Sequence, residues 1–196
     1  MALRNFENMK PNSTKNNPTI GCCGIDCGLC PRFHTDGKSR CPGCAGVDFF
    51  DKHPSCSVLT CCFLNRKLET CGNCGEFICN RIADWDSADS FVTHRTCISN
   101  LRRIEESGLP TFIQQQQKRL ELLEELIHEY DDGRSKSFYC LSTALLPFKE
   151  LKQAMQRIRS RADDSSDRKR VSKSLREAFA EIANRAHIEL SYRRKT

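Results

Sequence analysis

The stretch CGIDCGLCPRF at residues 23–33 opens a run of spaced cysteines whose reading decides the fold. It continues as CPGC at residues 41–44, CSVLTC at 56–61 and CGNCGEFIC at 71–79. Two residues between cysteines let one tight turn aim both sulfurs at a single point, and four thiolates complete a tetrahedral site for zinc or iron. The array predicts metal binding by Cys23, Cys27, Cys30, Cys41, Cys44, Cys56, Cys61, Cys71, Cys74 and Cys79. Cys22 and Cys62 are doublet neighbours outside this spacing.

Composition bounds what such a stretch can be. The chain has 196 residues and is only 38% hydrophobic, and its cysteine-rich part is poor in large aliphatic residues. A segment of that size needs a staple beyond its apolar core, and metal–thiolate bonds supply one. The opening MALRNFENMK has no apolar h-region, and no stretch approaches transmembrane length, so a cytoplasmic protein in a reducing compartment is expected. There, closely spaced cysteines read as metal or redox sites and not as a disulfide framework. The formal net charge of +6 invites a nucleic-acid reading. Ten ligated thiolates with three divalent ions, or eight with two, would bring it down to about +2. That leaves little long-range attraction to a phosphate backbone.

The chain divides into an Asn-rich mobile tail at residues 1–18, a cysteine-rich module at 19–85 and a helical domain at 86–196. The fold class expected is thus a small irregular metal-stabilised module followed by a mainly α-helical domain, with a short C-terminal extended segment. Gly75, directly after Cys74, and Gly46, shortly after Cys44, are expected to take left-handed conformations that turn backbone N–H groups toward sulfur. A short helix is predicted over 57–67, with Cys56 just before its start. Further helices are predicted over 86–107, from Thr111 to the Asp132-Gly133 turn, over 137–146 and from Pro147 onward. Thr111 and Gln114 fit a capping box. The stripe Leu120, Leu123, Ile127 and Tyr130 marks one apolar face, and Leu151, Ala154, Met155 and Ile158 mark another. After a polar spacer at 162–167, Val171, Leu175, Phe179 and Ile182 mark the last helix. The alternation of Ile188, Leu190 and Tyr192 suggests a strand-like end.

Two ribbon-like zinc sites follow from spacing, Cys27/Cys30/Cys41/Cys44 and Cys56/Cys61/Cys71/Cys74. Cys23 and Cys79 remain, able to join a third site with His53, Cys62 or Cys22, so two or three zinc ions are expected. The competing reading is an iron–sulfur cluster near Cys23, Cys27 and Cys30, whose x3-x2 spacing is that of enzymes holding a cluster with one open iron. No strand–helix alternation of a barrel accompanies it, and Pro31 after Cys30 also fits a ferredoxin-like carrier. Cys140 reads either as a thiol activated by Arg134 or Lys136, or as a core residue among Phe138, Leu141 and Leu145. The core reading is preferred, and Cys97 is read as structural too. His53 is the histidine to test as a ligand, although a solvated loop is the plainer expectation; His34 lies in a charged loop. The basic region from Arg157 to Arg176 is interleaved with acids and carries no aromatic to stack on a base, which disfavours nucleic acid. No phosphate-binding loop, dinucleotide fingerprint or zinc-protease motif is present. Sites closed by protein ligands leave no position for substrate, which points away from an enzyme and toward a protein partner.

These cysteine motifs resemble the prokaryotic domain-of-unknown-function family 3795, over about residues 20–83. The resemblance implies a zinc-binding module with the ten patterned cysteines as ligands and no established activity. The helical part is similar to the extension of longer members. The family often has Pro before the last cysteine, where this chain has Ile78.

Overall fold

The computed structural model describes residues 14–160 and 167–194. The helices are α1 (Phe49–Lys52), α2 (Ser57–Leu59, widening into a π-type turn over Thr60–Asn65), α3 (Cys97–Ser107), α4 (Leu109–Tyr130), α5 (Lys136–Leu145), α6 (Phe148–Arg159) and α7 (Arg168–Arg185). Helices α4–α7 enclose one apolar core. Leu123 and Leu126, Tyr139 and Cys140, Leu151 and Met155, and Leu175, Phe179 and Ile182 meet there. The 3.6-residue stripes of α6 and α7 thus bury the faces that their spacing predicts. The α4–α5 corner is tied by Asp131, whose Oδ1 accepts from the N–H groups of Gly133, Ser135 and Lys136. Arg119 on α4 donates to the carbonyls of Thr143 and Leu146, which satisfies the open C-terminal end of α5. Among the described residues no helix is long and apolar enough to cross a membrane.

Several expectations are corrected. Residues 86–96 are not helical. Asp89 there accepts from the His94 N–H, the Thr93 hydroxyl and the distant Arg193 N–H, and such side-chain acceptors compete with helix bonds. Phe91, within this stretch, is 48% exposed under the Arg32 guanidinium. Helix α4 begins at Leu109, ahead of the Thr111 capping box, because Gly108 at φ 82° both ends α3 and starts α4. Residues 188–192 form no strand. Ile188 and Leu190 pack on the helical core, and Arg95 donates to the carbonyls of Glu189 and Ser191. The expected tail lies mostly outside the described residues, but its residues 15–18 are packed. Lys15 donates its N–H to Ala45 O, and Asn16 and Asn17 donate theirs to Glu69.

Helix α3 joins the helices to the cysteine segments. Gly24, at φ 84°, lies so close to α3 that a Cβ there would sit 2.2 Å from the Cys97 carbonyl oxygen. One turn further along, a Cβ on Gly72 would sit 2.5 Å from the Leu101 carbonyl oxygen. Asn100 between them donates to Gly24 O at 3.0 Å. Both cysteine-rich halves therefore rest on one helix by backbone contact, which only glycine permits.

A polar seam joins the module to α4. Gln116 donates to Thr19 O and Asp26 Oδ1 and accepts from the Thr19 hydroxyl. Burial pushes the Asp26 carboxyl up to about 6, partly offset by this Gln116 bond. Gln116→Leu would take a partner from the buried Asp26 carboxyl and leave the Thr19 hydroxyl unmatched, while the Thr19 carbonyl keeps the Gly28 N–H. A loss of about 1–3 kcal/mol in urea unfolding is expected, the cost of buried polar groups without partners. An unchanged midpoint would show that water takes over the seam.

Candidate metal centre

Two cysteine pairs adopt the same turn. In Cys27–Leu29 a single 3₁₀ turn brings the Cys30 N–H to Cys27 O at 3.2 Å, and the Phe33 N–H then returns to Cys30 O. In Cys71–Asn73 the Cys74 N–H meets Cys71 O at 3.0 Å, and the Phe77 N–H returns to Cys74 O. Both follow the pattern Cys-Gly-x-Cys-x-x-Phe, an internal repeat that pair counting overlooks. The pair Cys41/Cys44 is held differently. Its Cys44 N–H goes to Pro18 O, and the left-handed positions are Gly43 at φ 82° and Ala45 at φ 51°. Gly46 is not left-handed but presses on the Pro42 carbonyl, and Gly75 stands in open space without positive φ. The expected role of Gly75 and Gly46 is therefore not found.

The central segment behaves as the cysteine spacing requires. Cys56 caps α2 from an extended conformation. The π-type turn then carries the Arg66 N–H to Cys61 O and the Leu68 N–H to Cys62 O. This widening places Cys62 inside and leaves Cys61 half-buried. Wide turns of this type recur at functional sites because they redirect side chains within a helix.

The ten patterned cysteines distribute around two cavities. A cavity of about 320 Å³ is lined by Cys23, Cys27, Cys30, Cys41, Cys44, Cys56 and His53. Burial pushes the Cys23 thiol up to about 12 and raises Cys27 and Cys30 as well. His53 is not in a solvated loop: its Nε2 lies 3.2 Å from Cys41 Sγ, and its ring stacks on Phe49 at 4.4 Å. Desolvation, then Arg32 and Lys52, keep this imidazole below its usual range. His34 is committed elsewhere, its Nε2–H donating to Gly28 O at 2.7 Å. A second cavity, about 470 Å³, is lined by Cys61, Cys62, Cys71, Cys74 and Cys79. Arg66 stands at its rim, donating to Cys74 Sγ at 3.3 Å and pairing with Glu76 at 2.7 Å.

The two doublet cysteines, Cys22 and Cys62, are both buried. Cys44 Sγ is 3.9 Å from Cys22 Sγ, and the Cys62 thiol donates to Leu68 O at 3.4 Å. Cys22, outside the spaced pattern, is thus a neighbour of Cys44. All fourteen cysteines are free thiols. Among the described residues, no group of three or more His, Cys, Asp or Glu side chains is arranged to hold a metal ion. The sulfurs surround shared spaces without closing on one point.

Two cysteines stand apart from these spaces. Cys140 is buried in the α4–α7 core, where desolvation raises its thiol, as a packing residue would be. Cys97 is wholly buried at the start of α3, where burial and the neighbouring Cys23 and Cys27 raise its thiol. Neither has the lowered thiol of a nucleophile. The doublets and Lys15 had only faint sequence signals. Each doublet places a spare sulfur beside a patterned one, and nothing in the sequence marks Lys15 as buried. No family model, curated protein or solved structure matches the chain.

Proposed function

We propose that the protein is a thiolate metal-binding protein, with zinc in two or three structural sites, that acts in binding or regulation with a protein partner. The observation that carries this reading is the gathering of two repeated Cys-Gly-x-Cys turns and their flanking cysteines around shared cavities, all as free thiols. The ten patterned cysteines supply the ligands, and His53 joins them through its contact with Cys41. Bound ions would draw the surrounding sulfurs inward and supply folding energy that the sparse aliphatic core of the module lacks. The single tryptophan, Trp85, packs against this module and reports on it. Adding a strong chelator should red-shift Trp85 emission and expose the cysteines to a thiol reagent. Unchanged emission and thiol reactivity, with metal removed, would contradict a structural role.

The iron–sulfur reading has its own supporting observation. A cavity of about 320 Å³ ringed by Cys23, Cys27 and Cys30 has room for more than one bare ion. That reading requires visible absorbance that bleaches on reduction. A colourless protein with stoichiometric zinc would remove it.

A further inference from the structure

We propose that the irregular segment 86–96 is a lid on the cysteine-lined cavity of about 320 Å³, held shut by the C-terminal segment 188–193 through the Asp89 carboxylate. Such a lid regulates access to the candidate metal site, and its purpose rests on the metal-binding reading. One wall of the cavity comes from the cysteine segments. The facing wall comes from Trp85, Ser90, Phe91, Val92 and His94. Val92 is buried, while Phe91 lies at the surface with the Arg32 guanidinium 4.5 Å from its ring centroid. Arg32 follows Cys30 by two residues, so the lid is clasped from the cysteine side as well.

The order of the lid centres on Asp89, whose side chain is fully buried. Its Oδ1 accepts from the His94 N–H at 2.7 Å and from the Thr93 hydroxyl at 3.2 Å, which shapes the segment itself. Its Oδ2 serves the distant C-terminal segment. It accepts from the Arg193 N–H at 2.8 Å, and the Asp89 N–H returns to Arg193 O at 2.9 Å. The Nε atoms of Arg95 and Arg193 lie 3.4 and 3.5 Å from the same oxygen, so the buried charge is compensated. Arg95 adds a second tie by donating to the carbonyls of Glu189 and Ser191. The latch is anchored in turn on the helices. The Ile188 N–H bonds Ala183 O at 2.8 Å, and Ile188 and Leu190 pack on the α4–α7 core. The position of the lid is therefore set from the helical core. A segment held this way opens at a lower free energy than the whole protein, because few contacts break. The helical part thereby controls access to cysteines that its own core does not contain.

The test labels the full chain, purified without oxygen, with short pulses of N-ethylmaleimide and maps the modified cysteines by mass spectrometry. Wild type, Asp89→Ala and Arg193→Met are compared. Cys27, Cys30 and Cys41 should label at least about tenfold faster in both variants, the effect on opening of losing hydrogen bonds to a buried charge. Cys61, Cys74 and Cys79 of the second cavity, and Cys140 of the helical core, should keep their wild-type rates. Unchanged rates at Cys27, Cys30 and Cys41 overturn the lid. An equal rise at every cysteine overturns it too, because that marks a general loosening. If neither variant folds, amide hydrogen exchange in the wild type decides. The Asp89 and His94 amides should exchange at least about tenfold faster than that of Leu101 in α3, and exchange in step with Leu101 overturns the lid. A wild type without metal contradicts the metal-binding reading, while the contrast in labelling still decides the closure.

Discussion

Gly24→Ala is expected to lower stability by about 2–5 kcal/mol, adding a left-handed backbone penalty to the cost of overpacking. The residue sits at φ 84°, and its new methyl would lie 2.2 Å from the Cys97 carbonyl oxygen. Neither party can yield easily. The carbonyl belongs to the first turn of α3, and the Gly24 carbonyl is itself held by Asn100. Relief would require the 20–30 segment to lift from α3, taking Cys22, Cys23 and Cys27 with it. The same substitution should therefore loosen the proposed metal sites as well as the fold. Urea unfolding followed at Trp85, with zinc release measured alongside, checks both effects. A variant with wild-type stability and wild-type zinc would refute the view of α3 as the shared support of the two cysteine halves.

Phe179→Ala is expected to cost about 3–5 kcal/mol, the range for removing a buried aromatic side chain. Phe179 is wholly buried, stacked with Phe138 at 6.5 Å and edge-on to Tyr139 at 6.4 Å. Its neighbours lie on well-packed helices, so the space it leaves cannot collapse without moving α5 against α7. The contrast with Gly24 is the informative part. No cysteine of the spaced array joins this core, so metal content per folded protein should stay at the wild-type value. Circular dichroism melts should shift down while zinc stoichiometry holds. Loss of metal in step with loss of helical stability would show that the two parts fold as one unit.

The helical half is legible because its signals are local. Val171, Leu175, Phe179 and Ile182 repeat at helical spacing, and Gly108, Asp132-Gly133 and Pro147 punctuate the chain where the helices turn. The stretch 86–96 misleads because the group that organises it, Asp89, pairs with Arg193, 104 residues away. No window along the sequence contains that pair. The cysteine spacing correctly marks the turns at 27–30 and 71–74 and the cap at Cys56, since turn closure depends only on neighbouring residues. It does not reveal which sulfurs meet. Within a doublet, adjacent side chains point in different directions, and the π-type turn after Leu59 decides that Cys62 faces inward. His53 meets Cys41 through the Phe49 stack, a tertiary contact with no counterpart in spacing.

The central claim is that the cysteine array exists to hold metal, and zinc in particular. The measurement that tests it most directly is the metal and acid-labile sulfide content of the full chain purified without oxygen. The account predicts a colourless protein with at least two zinc ions per chain, no iron and no sulfide. Iron with matching sulfide would transfer the array to cluster chemistry, and a folded protein without metal would contradict the account outright.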